Sequence, residues 1–215
     1  QLGCFCNRRF ACLTTEQWSA MQTDDLAALD ALTQWTSLAT NDLVAIDAQS
    51  QWPYVASDDL IGLTTAQWSV MQTDDLNALS TAQWVVVETD DLVAMRTLQW
   101  SSMASDDLQA LSTAQWSSLA VDDLVALTTA QWSSLASDDL IALDALTQWA
   151  QLATNDLQAL TGAQWSSMAT DDLVALLTSQ WSRLDTDDLE SLTTVQWFAM
   201  QTDDLVALTT TQWSA

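Results

Sequence analysis

Pairs of acids are the most obvious candidates for chemistry in this chain. Twelve times an acidic pair stands directly before a leucine: ten are Asp-Asp, and two are Asn-Asp, at Asn41-Asp42 and Asn155-Asp156. Hard carboxylate oxygens suit Ca²⁺, so Asp24, Asp25, Asp58, Asp59, Asp74, Asp75, Asp106, Asp107, Asp138 and Asp139 are candidate ligands in a ladder of cation sites. No unit carries the glycine-containing loop of a dedicated calcium site, so such binding is expected to be weak and delocalised, and no other cofactor is expected. The plainer role of the same pairs is to cap short helices at the positive end of the dipole and to solvate one face.

A second column is aromatic. Tryptophan stands at Trp18, Trp35, Trp52, Trp68, Trp84, Trp100, Trp116, Trp132, Trp149, Trp165, Trp181, Trp197 and Trp213, at intervals of 16 or 17, each directly after a glutamine. Such a row is first of all a ladder of bulky core side chains, whose indole N–H groups need partners; the preceding glutamine or a cap hydroxyl is the expected one. Exposed instead, the row would stack on glycans or pass charge along its length. The glutamines themselves could bond from coil to coil and hold register.

The third group lies in a non-repetitive head, QLGCFCNRRFAC at 1–12. It holds Cys4, Cys6 and Cys12 with Arg8 and Arg9. Three cysteines and no histidine cannot close a four-ligand zinc site within one chain. An odd cysteine count in a secreted chain points to one internal disulfide and one thiol free to cross-link a second copy. The head is expected to act as a cap or linker, with its cysteines and arginines in assembly.

What is missing narrows the function further. The 215 residues contain 29 acids against 4 bases, no histidine and a net charge of −25. The bases are all arginine (Arg8, Arg9, Arg96, Arg183), so there is no lysine for a Schiff base or a phosphate cradle. Without histidine the commonest general base is absent, and an enzyme is not expected. Such a charge repels a nucleic-acid backbone, and no apolar run approaches the roughly 20 residues of a membrane span. Neither nucleic acid nor membrane insertion is therefore expected. Gln1 opens the chain with neither an initiator methionine nor a signal-peptide pattern, as expected of a processed chain or a fragment.

All these columns are set by one repeat. Cutting at a leading aliphatic residue divides 13–215 into 25 octads, 13 of Trp type (LTTAQWSS at 127–134) alternating with 12 of Leu type (LAVDDLVA at 119–126). Three Trp-type units, starting at Leu29, Ile46 and Leu143, have nine residues. One continuous helix is excluded, since eight residues overshoot two turns by about 80°. Strand alternation fails too, because the large apolar positions are 1, 6 and 9. Thr or Ser at position 3 of the Leu-type units, followed by two acids, reads as an N-cap.

The expected fold is a single all-α repeat solenoid over 13–215, twelve and a half coils of 16–17 residues with two very short helices in each, stable only by stacking on neighbours. The alternative is a β-solenoid with coils of the same length, favoured by the threonines but opposed by the abundance of Ala, Leu and Gln. At a helix-layer spacing of roughly 9–10 Å the helical form would be a rod of roughly 110–125 Å.

The octads resemble a known family. LSTAQWSS at 111–118 and LTTAQWSS at 127–134 are similar to the Leu-Thr/Ser-Thr-Ala-Gln-aliphatic tandem units of large secreted bacterial adhesin-like exoproteins. This chain departs from them in placing Trp where an aliphatic residue is usual and in interleaving the Asp-Asp-Leu units. The resemblance implies an extracellular or cell-surface array with a structural or adhesive role. Head and tail add a polarity: a basic, cysteine-bearing head at one end, and at the other a final Trp-type octad, LTTTQWSA, with no cap. A head-to-tail contact of that kind does not close and builds a filament. The expected partner is a second copy of the chain; the alternative is a repeated surface for Ca²⁺, a glycan or ice.

Overall fold

The computed structural model describes residues 13–30 and 33–214. Cys4, Cys6, Cys12, Arg8 and Arg9, with the cap role expected of them, lie outside the described residues. The fold is an all-α repeat solenoid. The described residues form 22 short α-helices and three 3-10 turns, one per octad, with no strand among them. The packing divides the chain into two compact units, Gln1–Ala110 and Leu111–Ala215, and the boundary falls between two octads.

Each helix is four to six residues long, as in Thr65–Trp68 and Val121–Ala126. Two consecutive extended residues separate one helix from the next. Leu119 (φ −63°, ψ 140°) and Ala120 (φ −71°, ψ 152°) precede Val121–Ala126, and Leu127 and Thr128 follow it with nearly the same angles. Helices commonly end instead in a left-handed residue, usually glycine. No described residue has positive φ, and this connection explains how a chain with 3 glycines turns a corner every eight residues.

The cap register differs by one residue from the sequence expectation. Position 3 of the Leu-type units lies inside the helix as its first residue, as Thr23, Thr40 and Ser57 do. The cap residue is position 2 in both unit types. In the Leu-type units position 2 is Gln22, Ala39 or Ala56, none of which caps with its side chain. The reason is that the buried aliphatic residue at position 1 must stay extended to enter the core, and only one further extended residue fits before the helix.

The nine-residue units absorb their extra residue at the same place. They form the 3-10 turns Trp35–Ser37, Trp52–Tyr54 and Trp149–Gln151. Asp144 Oδ1 accepts from Thr147 N at 2.8 Å and from Thr147 Oγ1 at 2.6 Å, and Asp47 does the same for Ser50. Those bonds hold the carboxyls of Asp47 and Asp144 below the usual carboxylate range.

Helices stack on the helix three octads away. Thr65–Trp68 packs on Thr89–Val93 in the first unit, and Thr178–Trp181 on Thr202–Ala207 in the second. Glutamine side chains reach the octad four away, so one turn of the solenoid holds between three and four octads. The 16-residue period is thus the chemical repeat, and the stacking period is longer.

One stacking contact has a compensated pair. A Cβ on Gly162 would press on Ser191 Oγ, three octads later. Elsewhere these two positions hold Thr and Ala, as in Thr113 with Ala142 and Thr178 with Ala207. The smaller partner has moved to the other side of the contact. Gly162→Thr is expected to cost about 1–3 kcal/mol through overpacking, and Ser191→Ala added to it should recover most of that. A double-mutant cycle measured by urea unfolding checks the pair.

Candidate functional site

The interior is built from three columns. The tryptophans from Trp18 to Trp181 are all 0% exposed, and the position-1 aliphatics and the Leu-type leucines close around them. Successive indoles meet in tilted pairs: Trp35 with Trp52 (6.3 Å, 44°) and Trp68 with Trp84 (6.2 Å, 42°) in the first unit, Trp165 with Trp181 (6.5 Å, 41°) in the second. Offset or tilted contact at that separation is the favourable one for indole rings. Trp213 differs, at 58% exposure, and pairs with Trp197 at 6.3 Å.

The second column is glutamine, and each member serves two helices. Gln164 Oε1 accepts from Thr161 N at 2.6 Å, while Thr161 Oγ1 accepts from Gln164 N at 3.3 Å. That is a Thr-x-x-Gln capping box. Gln164 Nε2 then donates to Trp132 O at 2.9 Å and Leu135 O at 2.8 Å. Those carbonyls belong to the C-terminal end of a helix four octads earlier, where orphan acceptors are left over. The pattern recurs at Gln67, Gln83 and Gln99 in the first unit and at Gln148, Gln180, Gln196 and Gln212 in the second. The threonine half is dispensable: at Arg96 and Leu177 the glutamine still accepts the cap N–H, at 2.6 Å in both. The coil-to-coil role anticipated for glutamine is thus filled by side chain to backbone bonds rather than by an amide stack.

The third column is the second acid of each pair. Asp75, Asp91, Asp107, Asp139, Asp172 and Asp188 are between 3% and 7% exposed, while Asp74, Asp90, Asp106, Asp138, Asp171 and Asp187 are exposed. The pair splits because consecutive residues on a helix point about 100° apart. The buried member occupies position 5, the register of glutamine in the Trp-type octads. It accepts from its own cap backbone N–H, as in Asp75 Oδ2 from Gln72 N at 3.2 Å and Asp188 Oδ2 from Asp185 N at 3.0 Å. Its carboxyl also lies against an indole N–H three octads earlier: Asp75 against Trp52, Asp107 against Trp84, Asp139 against Trp116, Asp188 against Trp165. For Trp52, Trp116 and Trp165 the approach stops short of strict hydrogen-bond geometry. Burial raises the carboxyls of Asp75, Asp91, Asp107, Asp139, Asp172 and Asp188 to about 6.

These placements change one sequence expectation. The indole N–H faces this aspartate, because glutamine and the cap hydroxyl are occupied by one another and by backbone. The two acids of a pair point apart: Asp58, Asp74, Asp106 and Asp138 face solvent while Asp59, Asp75, Asp107 and Asp139 turn inward. Asp24 and Asp25, in the first Leu-type octad, are both exposed. Among the described residues no group of three or more acidic, cysteine or histidine side chains is placed to hold a metal. No described helix is long and apolar enough to cross a membrane. The buried role of the second acid did leave a trace in the sequence, since that position is Asp in all twelve Leu-type units whereas the first varies to Asn. A comparison with protein-family models and with curated proteins finds no match to this chain.

Proposed function

We propose that this is a structural protein of the cell exterior, whose solenoid is continued by a second copy, head to tail, into a filament or an adhesin stalk. One observation supports the reading most directly. The glutamine bond that ties octad to octad recurs along the chain, as where Trp165 O and Met168 O receive the amide of Gln196, so a second copy can continue the stack with the bonds already used within one chain. Gln17 and Gln34 stand in the same register and would serve such carbonyls in another copy. The similarity of the octads to secreted exoprotein repeats, and the three cysteines of the head, favour an extracellular setting and a covalent lock between copies. The repeated Ser and Asp columns are spent on capping and on solvation, and the role is proposed as mechanical rather than catalytic.

The net charge of −25 makes copies repel one another over a Debye length of about 8–10 Å, so assembly should strengthen with salt. Electron microscopy and sedimentation across protein concentration, in high salt under oxidising conditions, test this. End-to-end particles whose lengths are multiples of one unit are expected, and Gln17→Ala with Gln34→Ala should shorten them. A chain that stays monomeric at high concentration and high salt overturns the reading.

A further inference from the structure

We propose that the column of second aspartates is a proton-operated brace, which tightens the solenoid in mildly acidic surroundings and works against it at neutral pH and above. The proposal stands on the register of the repeat. Position 5 holds Gln in one octad type and Asp in the other, and both are buried. Glutamine there is neutral, accepts the cap N–H and still has donors for carbonyls of another octad. An ionised aspartate at the same position can only accept. A protonated one regains a donor and sheds the cost of a buried charge.

Among the described residues no cation faces these six carboxyls. Asp75 is faced by Asp74 and Asp47, Asp91 by Glu88 and Asp90, and Asp107 by Asp106. In the second unit Asp139 is faced by Asp138, Asp172 by Asp171 and Asp144, and Asp188 by Asp185 and Asp187. Every one of these neighbours is an acid; the groups favouring the ionised form are cap N–H groups and indoles. In a salt-bridged protein, carboxylates are stabilised as anions and acid unfolds the chain. Here burial pushes these six carboxyls up from 3.8 to about 6.

The sign follows. Between about pH 4 and 6 the folded chain holds protons that the unfolded chain has released, so stability rises as pH falls through that window. The gain is complete below about pH 4, the unfolded value, and is lost as pH rises past 6. The invariance of the second acid across twelve units, against the variable first acid, is what such a device requires.

The test uses the whole chain. Its melting temperature is measured from pH 4.5 to 8 at constant ionic strength, and the carbonyl band of protonated carboxylic acid is followed by infrared spectroscopy. Melting is expected to rise by ~10 °C from pH 8 to pH 5, after allowance for residual solvent screening, with the protonated band already present at pH 5.5. D107N combined with D139N should lose about a third of that rise, as two of the six groups. The exposed-acid control, D24N combined with D122N, removes the same charge from acids that face none of the six carboxyls and should keep it. The slope with pH is the readout, so a lower absolute stability of either variant does not matter. Should the first variant not fold, the infrared titration of the native chain decides. A flat or acid-sensitive native profile, equal flattening by the control, or no protonated carboxyl at pH 5.5 overturns the proposal.

Discussion

Gln164→Ala is expected to lower stability by about 3–5 kcal/mol, as much as emptying a hydrophobic core position. The side chain is 3% exposed and makes four bonds to other groups' atoms: it accepts from Thr161 N and Thr161 Oγ1, and it donates to Trp132 O and Leu135 O. Truncation leaves a cap N–H and the Leu135 carbonyl inside the solenoid with no water to replace the amide, while Trp132 O keeps only Leu135 N at 3.4 Å, and each buried unsatisfied group costs about 1–3 kcal/mol. Gln164→Glu should be no better, because it restores an acceptor at the cap while aiming an anion at two carbonyl oxygens. Gln212→Ala is the internal control. It breaks the equivalent bonds to Trp181 O and Leu184 O where the side chain is only half-buried, so water can take its place at a cost of about 1 kcal/mol. Urea unfolding read by far-UV circular dichroism gives the comparison. Hydrogen exchange at the amides around Trp132 should show that the damage spreads to an octad about 32 residues earlier, as the 29–32-residue reach of the Gln164 bonds requires.

The second large effect is expected from Trp132→Ala, at about 4 kcal/mol. The indole is 0% exposed, and large aromatic-to-alanine changes in a core cost about 3–5 kcal/mol because the surroundings collapse only in part. Collapse is especially limited here. The cavity wall is made of short helices whose ends are tied by glutamine to octads on either side, so no single helix can move inward alone. Trp213→Ala, at a residue 58% exposed, should cost less than about 1 kcal/mol in the isolated chain. If copies stack as proposed, the same substitution should weaken their association far more than it weakens folding. Thermal melting and sedimentation on the one variant separate the two effects.

The unequal outcomes at Gln164 and Asp75 show where local reasoning reaches its limit. A Thr-x-x-Gln box before a Trp is a signal contained in four residues, and the structure forms it at Thr161 and Gln164. An Asp-Asp-Leu triplet is equally local, yet nothing in three residues says that Asp74 meets solvent while Asp75 meets Trp52. That depends on which octad lies alongside. The expected cap at Thr23 or Thr40 went wrong by a single residue for the same reason: Met21 and Leu38, just upstream, must be extended to reach a core that only the stacked fold supplies. The nine-residue units were visible as insertions, but their conversion into 3-10 turns held by Asp30, Asp47 and Asp144 was not.

By itself, the amino-acid sequence determined the octad phase, the helical class and the spacing of the tryptophan column, because each is set by the local pattern of residues. Only the tertiary structure decided that stacking partners lie three octads away and glutamine partners four, and therefore which acid of each pair is buried. Those distances follow from the turn angle between one short helix and the next, which comes full circle after three to four octads. That angle accumulates around the axis and is set by side-chain packing among turns far apart in the chain, so no periodicity along the sequence contains it.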